Sequence, residues 1–149
     1  MASKELINTV HEVKTYWQSQ GIKHDHVNVN LSCVFKDIKK SKDFSCFFAE
    51  VNGMTNLYPN YSDKNGFLFY PCDRLIYAKN CISNCSKIVE NYIIFADYMQ
   101  MSWWYAVKFD NNKYTIVIIE NKEKFRFITD KLENFLSYYL LDSEEIYPE

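Results

Sequence analysis

The sequence predicts an α+β domain: a mainly antiparallel, twisted sheet with N-terminal helices and a C-terminal helix packed against it. Three observations carry this expectation. Apolar residues recur at helical spacing near both ends of the chain. Strand-sized apolar runs fill the region between them, one pair separated by a turn-forming tetrapeptide. The order is helix, helix, several strands, helix, with no internal repeat, linker or low-complexity run over residues 1–149, which reads as a single domain.

The first helix starts at Ser3, whose hydroxyl can cap it, and runs to about Gln20. Leu6, Val10, Val13 and Trp17 lie on one face, and Gly21 can end it. Between residues 22 and 42 the pattern changes. Val27, Val29, Leu31 and Cys33 alternate with Asn28, Asn30 and Ser32, which favours an edge strand, although Val34, Phe35 and Ile38 break the period. Lys36, Lys39, Lys40 and Lys42, with Asp37 and Asp43 beside them, read as a solvated face. A second helix spans Asp43 to Asn52, with Phe44, Phe47, Phe48 and Val51 at i, i+3, i+4 and i+7, and stops at Asn52-Gly53.

Thr55 to Gly66 is polar with Leu57, Tyr58 and Tyr61 embedded, which makes it the best candidate for a functional loop. Residues 66–71 form a short buried strand ended by Pro71. Residues 78–91 hold one or two helical turns, and Tyr92 to Ala96 is a strand ending at Asp97. Trp103–Phe109 and Tyr114–Ile119 flank Asp110-Asn111-Asn112-Lys113, where Asn tolerates positive φ. A two-residue turn there sets Val107 opposite Ile116, Tyr105 opposite Ile118 and Ala106 opposite Val117. Thr129 or Asp130 is expected to cap the last helix, whose stripe is Leu132, Phe135, Leu136, Tyr139 and Leu140. The tail from Asp142 to Glu149 is acidic.

Composition narrows the function. With 3 glycines in 149 residues, no dinucleotide fingerprint or phosphate-binding P-loop fits. A net charge of -2 gives the protein as a whole no attraction to nucleic acid or anionic membrane. Polar residues interrupt the N-terminus, and no apolar run reaches membrane-span length. Five cysteines are an odd number, which argues for free thiols and a cytoplasmic location. Cys81-x3-Cys85 and His24-x-His26 lack usual zinc spacing, so no metal or other cofactor is expected. No Ser or Cys stands in an elbow-like glycine context, and His11 lies on a polar helix face, so the chain does not read as an enzyme. Asp97, at a strand end, reads first as a turn-capping carboxylate. Aromatics are 17% of the chain, and Tyr98, Trp103, Trp104, Tyr138 and Tyr139 gather on two elements. Most fill the core by alternation; Trp104 points to the opposite side, under a cover or in an interface.

Three stretches together resemble the SUKH superfamily of fungal cell-wall-assembly regulators and bacterial immunity proteins. Asp43-Phe44-Ser45-Cys46-Phe47-Phe48-Ala49-Glu50-Val51-Asn52-Gly53-Met54 is similar to the family helix that ends in an Asn-Gly-Met turn. Ile93 to Val107 resembles its Phe-Ala-Asp turn leading into a central strand, here Phe95-Ala96-Asp97. Leu132 to Leu140 looks like its closing helix. The likeness spans roughly residues 38–141; Ser41-Lys42 stand where members often carry Leu-Pro, and the first ~37 residues match nothing in the family. The resemblance implies a non-enzymatic protein-binding domain, many of whose bacterial relatives bind and neutralise a toxin domain, often a nuclease. On that expectation the partner is a protein, with no direct nucleic-acid or membrane contact. Loop position and composition point to Tyr58, Tyr61, Asp63, Asp97 and Tyr98 as the partner-binding residues. The alternatives are a scaffold or regulatory adaptor of the same fold, and a small-ligand binder with a pocket between sheet and loop.

Overall fold

The computed structural model describes residues 2–23 and 27–149. The elements are α1 (Lys4–Ser19), α2 (Val29–Ser32), α3 (Lys36–Lys40), α4 (Lys42–Glu50), β1 (Phe67–Phe69), β2 (Ile76–Tyr77), α5 (Ala78–Cys81), β3 (Ile93–Tyr98), β4 (Trp103–Asp110), β5 (Lys113–Ile119), β6 (Phe125–Thr129) and α6 (Leu132–Leu140). The sheet has strand order β1-β3-β4-β5-β6, with β2 also paired to β3, and every pairing is antiparallel. The α+β class is as the sequence predicts.

α1 begins where Ser3 accepts a hydrogen bond from the Leu6 N–H, and it buries Leu6, Val10, Val13 and Trp17. α4 begins one residue earlier than the sequence suggests. The Ser41 hydroxyl accepts from the Phe44 N–H and caps it, at the place where the resembled family often has Leu-Pro. Phe44, Phe47 and Phe48 are all buried. After α4, Gly53 sits at φ +70°, and a Cβ there would lie 2.5 Å from the Tyr70 carbonyl carbon. That close approach lets Met54 N–H reach the Phe69 carbonyl at 2.8 Å, fastening the chain to β1.

Two expectations are corrected. The edge strand over Val27–Cys33 is absent; the segment forms the one-turn helix α2 instead. Asn28 caps it by accepting from the Asn30 N–H, and Val29 and Cys33, four apart, are buried while Leu31 is exposed. The spacing that matters is helical, and the side chain of Asn28 outcompetes a ladder for the local backbone. At the other end, neither Thr129 nor Asp130 is the cap of α6. Lys131 holds that position without a side-chain cap, and the Leu132 N–H donates instead to the Tyr114 hydroxyl at 2.7 Å. A side chain from β5 thus does what a local cap would have done. Thr129 accepts from Lys131 N–H and from Asn134, supporting the turn from within β6.

The β4–β5 hairpin has the register read from the sequence: Val107 opposite Ile116, Tyr105 opposite Ile118, Ala106 opposite Val117, with Asn111 at φ +58° in the turn. The β3–β4 pairing slips between Ile94 and Ala96. The extra residue is Phe95, whose ring meets Phe44, Phe69 and Phe135 on the helical side. On that side Phe69 is the hub, within 6.5 Å of Trp17, Phe47, Phe95, Phe135 and Tyr139 ring to ring. The other face of the sheet is covered by the segment from residue 71 to 91, which buries Cys72, Leu75, Ala78, Ile82 and Val89. Trp104 is half-buried there beside Cys81 of α5, so it lies under a cover.

The two left-handed glycines give a controlled test. Gly21 has φ +71° with nothing within 4 Å of a would-be Cβ, whereas Gly53 has backbone at 2.5 Å. In urea denaturation, Gly21→Ala should cost about 1 kcal/mol, the backbone penalty alone. Gly53→Ala should cost roughly 2–4 kcal/mol, because backbone must also move. Equal losses would contradict the close approach.

Candidate protein-binding surface

The five residues singled out from sequence fall into two groups. Tyr61 is 68% exposed, and Tyr58 and Tyr98 are half-buried. Asp63 and Asp97, however, are 6% and 2% exposed. They face inward, and their carboxylates are spent on the fold.

Asp63 ends the loop that leads into β1. Its Oδ1 accepts from the Asn65 and Phe67 N–H groups at 2.9 and 3.0 Å. Its Oδ2 accepts from the Tyr139 hydroxyl at 2.5 Å, and that hydroxyl accepts from the Trp17 indole at 2.9 Å. Burial first, then the Asp63 charge, push the Tyr139 hydroxyl far up, so it stays a proton donor.

Asp97 lies on the opposite face of the sheet, where Oδ2 accepts from the Tyr70 hydroxyl at 2.5 Å. Tyr58 packs edge-on to the Tyr70 ring at 5.3 Å. Oδ1 carries no hydrogen bond, and neither does the buried Trp104 indole nitrogen. Burial raises the Asp97 carboxyl above the usual range; the Tyr70 hydroxyl and then the nearby Met101 backbone N–H offset part of the rise. Asp97 is thus tied to Tyr70, which is a tertiary partner rather than the turn its strand-end position suggested.

That turn is the feature sequence reasoning passed over. Met99, Gln100 and Met101 have φ of 46°, 55° and 69°, three successive non-glycine residues in the left-handed region. Each such residue costs of order 1 kcal/mol or more. The turn is held by Ser102 N–H to the Tyr98 carbonyl at 2.8 Å, Ser102 Oγ to the Met99 carbonyl at 2.9 Å and Met99 N–H to the Gly66 carbonyl at 2.8 Å. Gly66, at φ +99°, is the seat: a Cβ there would meet Met99 Sδ at 2.8 Å and the Tyr98 ring at 2.9 Å. The result is that Met99 and Met101 stand 55% and 50% exposed, and Gly66 joins their turn to the loop that carries Tyr61.

Beside this turn lies an aromatic cluster. Tyr98 and Trp103 stack at 4.4 Å with planes 14° apart. Tyr147 of the C-terminal tail packs edge-on against Tyr98 and Trp103, and its hydroxyl donates to Asp142. The tail is anchored by Tyr105, which donates to the Ile146 carbonyl at 2.5 Å, and by Arg126, which donates to the Tyr147 carbonyl at 2.8 Å. Glu144, Glu145 and Glu149 flank Tyr147 in this tail and are exposed to solvent. Exposed Met99, Met101 and Tyr61, together with the exposed carboxylates of the tail, make a composition suited to packing against another macromolecule. One signal in the sequence points there: a four-residue connection between two strands, Met99-Gln100-Met101-Ser102, with no Gly, Asn or Pro yet two methionines.

Among the described residues, no group of three or more His, Cys, Asp or Glu is placed to hold a metal, and no helix is long and apolar enough to cross a membrane. His24 and His26 lie outside the described residues. Compared with protein-family models, with curated proteins and with solved structures, the chain matches none.

The raised Asp97 carboxyl has a pH signature. A folded-state value above the unfolded one of about 3.9 contributes stability at acid pH, which is lost as pH rises through the folded value. Asp97→Asn keeps an acceptor for Tyr70 and cannot ionise. Its stability relative to wild type should therefore increase as pH rises above about 4 in denaturant titrations. A pH-independent difference would show that Asp97 is not under desolvation stress.

Proposed function

We propose that this protein is a non-enzymatic protein-binding module, an immunity protein of SUKH type that binds and neutralises a bacterial toxin domain in the cytoplasm. The resemblance of residues 38–141 to that superfamily motivates the reading. The observation that carries it is the β3–β4 turn, where the chain accepts three left-handed non-glycine residues in order to hold Met99 and Met101 outward. Strain of this kind is retained where the surrounding structure over-determines it, commonly at functional positions. Nothing in the core needs those two side chains, so their exposure supports a role in contact. The partner expected from this surface has an apolar centre to receive Tyr61, Met99 and Met101. Its rim is basic, opposite Glu144, Glu145 and Glu149, and matches a nuclease domain in charge. At a net charge of -2 such complementarity is local, so rim charges act on the association rate more than on the final affinity.

The test is capture of complexes from the producing cells with the tagged full chain at moderate salt. A toxin domain retained in stoichiometric amount, and lethal when this protein is removed, is the expected result; a housekeeping partner would support the adaptor reading instead. With the partner in hand, the triple change Tyr61→Ala, Met99→Ala and Met101→Ala should weaken binding by at least ~100-fold, as expected of clustered anchors. The variant's unfolding midpoint should stay near that of wild type, since all three side chains are exposed. Undiminished affinity would place the interface elsewhere on the molecule.

A further inference from the structure

The sulfur atoms of the β3–β4 turn carry chemistry of their own. Three methionines fall among the described residues. Met54 is fully buried, and its Sδ accepts the Phe69 N–H at 3.5 Å. Met99 and Met101 are 55% and 50% exposed, two positions apart on one turn. Met99 has a specific seat. A Cβ on Gly66 would fall 2.8 Å from Met99 Sδ, 3.1 Å from Met99 Cγ and 2.9 Å from Tyr98 Cε2. The thioether therefore rests on the bare α-carbon of Gly66, beside a Tyr98 ring that is itself packed on Phe67 and Trp103. An apolar, polarisable sulfur suits that seat; a sulfur that carries a polar oxygen does not.

The same side chain helps to hold a costly backbone. Met99, Gln100 and Met101 are left-handed, at φ 46°, 55° and 69°. The Met99 N–H, on the Gly66 carbonyl at 2.8 Å, ties the turn to the residue before β1. Such a conformation persists only while its surroundings over-determine it, so the loss of one support is felt across the turn.

We propose that Met99 and Met101 form an oxidation switch: hydrogen peroxide converts both thioethers to sulfoxides, the sulfoxide at 99 unseats the turn, and the surface closes to its partner. The last step rests on the protein-binding reading above; the first two do not. In each oxidation the sulfur lone pair attacks one peroxide oxygen. The S–O bond forms as the O–O bond breaks, and the departing hydroxide takes up the proton left on the transferred oxygen. The sulfur gives up two electrons, and one peroxide becomes the sulfoxide oxygen and one water. At Met99 the new oxygen is drawn to water, away from Gly66 and Tyr98, and takes the side chain with it. At Met101 it places a polar group in the apolar centre of the contact surface. The opening is confined to the turn, so the global unfolding midpoint does not report it.

The test uses the full reduced chain and hydrogen peroxide at about pH 5, where thiols are protonated and slow to react. Peptide mass spectrometry should find Met99 and Met101 each heavier by one oxygen, with Met54 unmodified. Amide hydrogen exchange then reads the turn. The Met99 and Ser102 N–H groups should exchange at least ~10-fold faster after oxidation, while the amides of the β4–β5 hairpin keep their rates. Met99→Leu, which keeps the apolar volume and cannot be oxidised, should hold the slow rates after peroxide. Methionine sulfoxide reductases should restore them in the wild-type chain. The capture from producing cells is then repeated with oxidised bait, and the partner that untreated bait retains should be absent. The proposal is overturned if Met54 oxidises as fast as Met99, if the turn amides keep their rates in the oxidised chain, or if oxidised bait retains the partner undiminished. That last result leaves the protein-binding reading standing. Capture of nothing by untreated bait counts against that reading instead, and the exchange rates alone then decide the switch.

Discussion

One buried carboxylate organises the helical side of this molecule. Asp63 is out of solvent, and every lone-pair direction that the chain supplies a donor for is used by a different part of the fold. The Asn65 and Phe67 N–H groups fix the entry to β1, and the Tyr139 hydroxyl brings in α6. Through Tyr139 the Trp17 indole brings in α1. A buried carboxylate is costly unless paired or fully hydrogen-bonded, and removing any one donor leaves it underserved. Three elements far apart in sequence are therefore obliged to meet at one place. The aromatic rings around Phe69 then fill the space that this meeting defines.

The same constraint positions the surface. Asp63 fixes Gly66 three residues later, with Gly66 N–H on the Asp63 carbonyl at 3.0 Å. Gly66 in turn carries the Met99 turn on its own carbonyl. On the other face, Asp97, two residues before Met99, is held by the Tyr70 hydroxyl. A surface that must present side chains in one geometry needs support of this kind, because contact residues on a mobile loop would lose ordering entropy on binding. The two inward carboxylates thus serve the surface indirectly, although no partner could touch them.

What was legible in the sequence follows from range. α1, α4 and the β4–β5 hairpin are specified by local pattern and local turn chemistry, and they stand where Leu6, Val10, Val13 and Trp17, the phenylalanines of 44–48 and Asn111 put them. α2 is hidden in the sequence because Val27, Val29, Leu31 and Cys33 alternate as well as a strand would; burial of Val29 and Cys33 alone reveals the helical spacing. β6 gave no signal, being five residues long with Phe127 exposed and Arg126 turned to the tail. The cap of α6 comes from Tyr114, 18 positions upstream, which no local rule anticipates. The site divided in the same way. The loop and the strand end were located, and Tyr61 and Tyr98 lie at the proposed surface. The inward direction of Asp63 and Asp97 depended on Tyr139 and Tyr70, whose approach is tertiary.

The most direct test of the Asp63 constraint is a double-mutant cycle between Asp63→Asn and Tyr139→Phe, read by denaturant unfolding at neutral pH. Asparagine keeps an acceptor for the Asn65 and Phe67 N–H groups, and phenylalanine keeps the ring in its place against Phe69. If the carboxylate and the hydroxyl form one buried unit, the two losses should fall short of additivity by about 1–3 kcal/mol. Additivity within about 0.5 kcal/mol would mean that the two groups do not depend on each other, and that the helical layer is organised by ring packing alone.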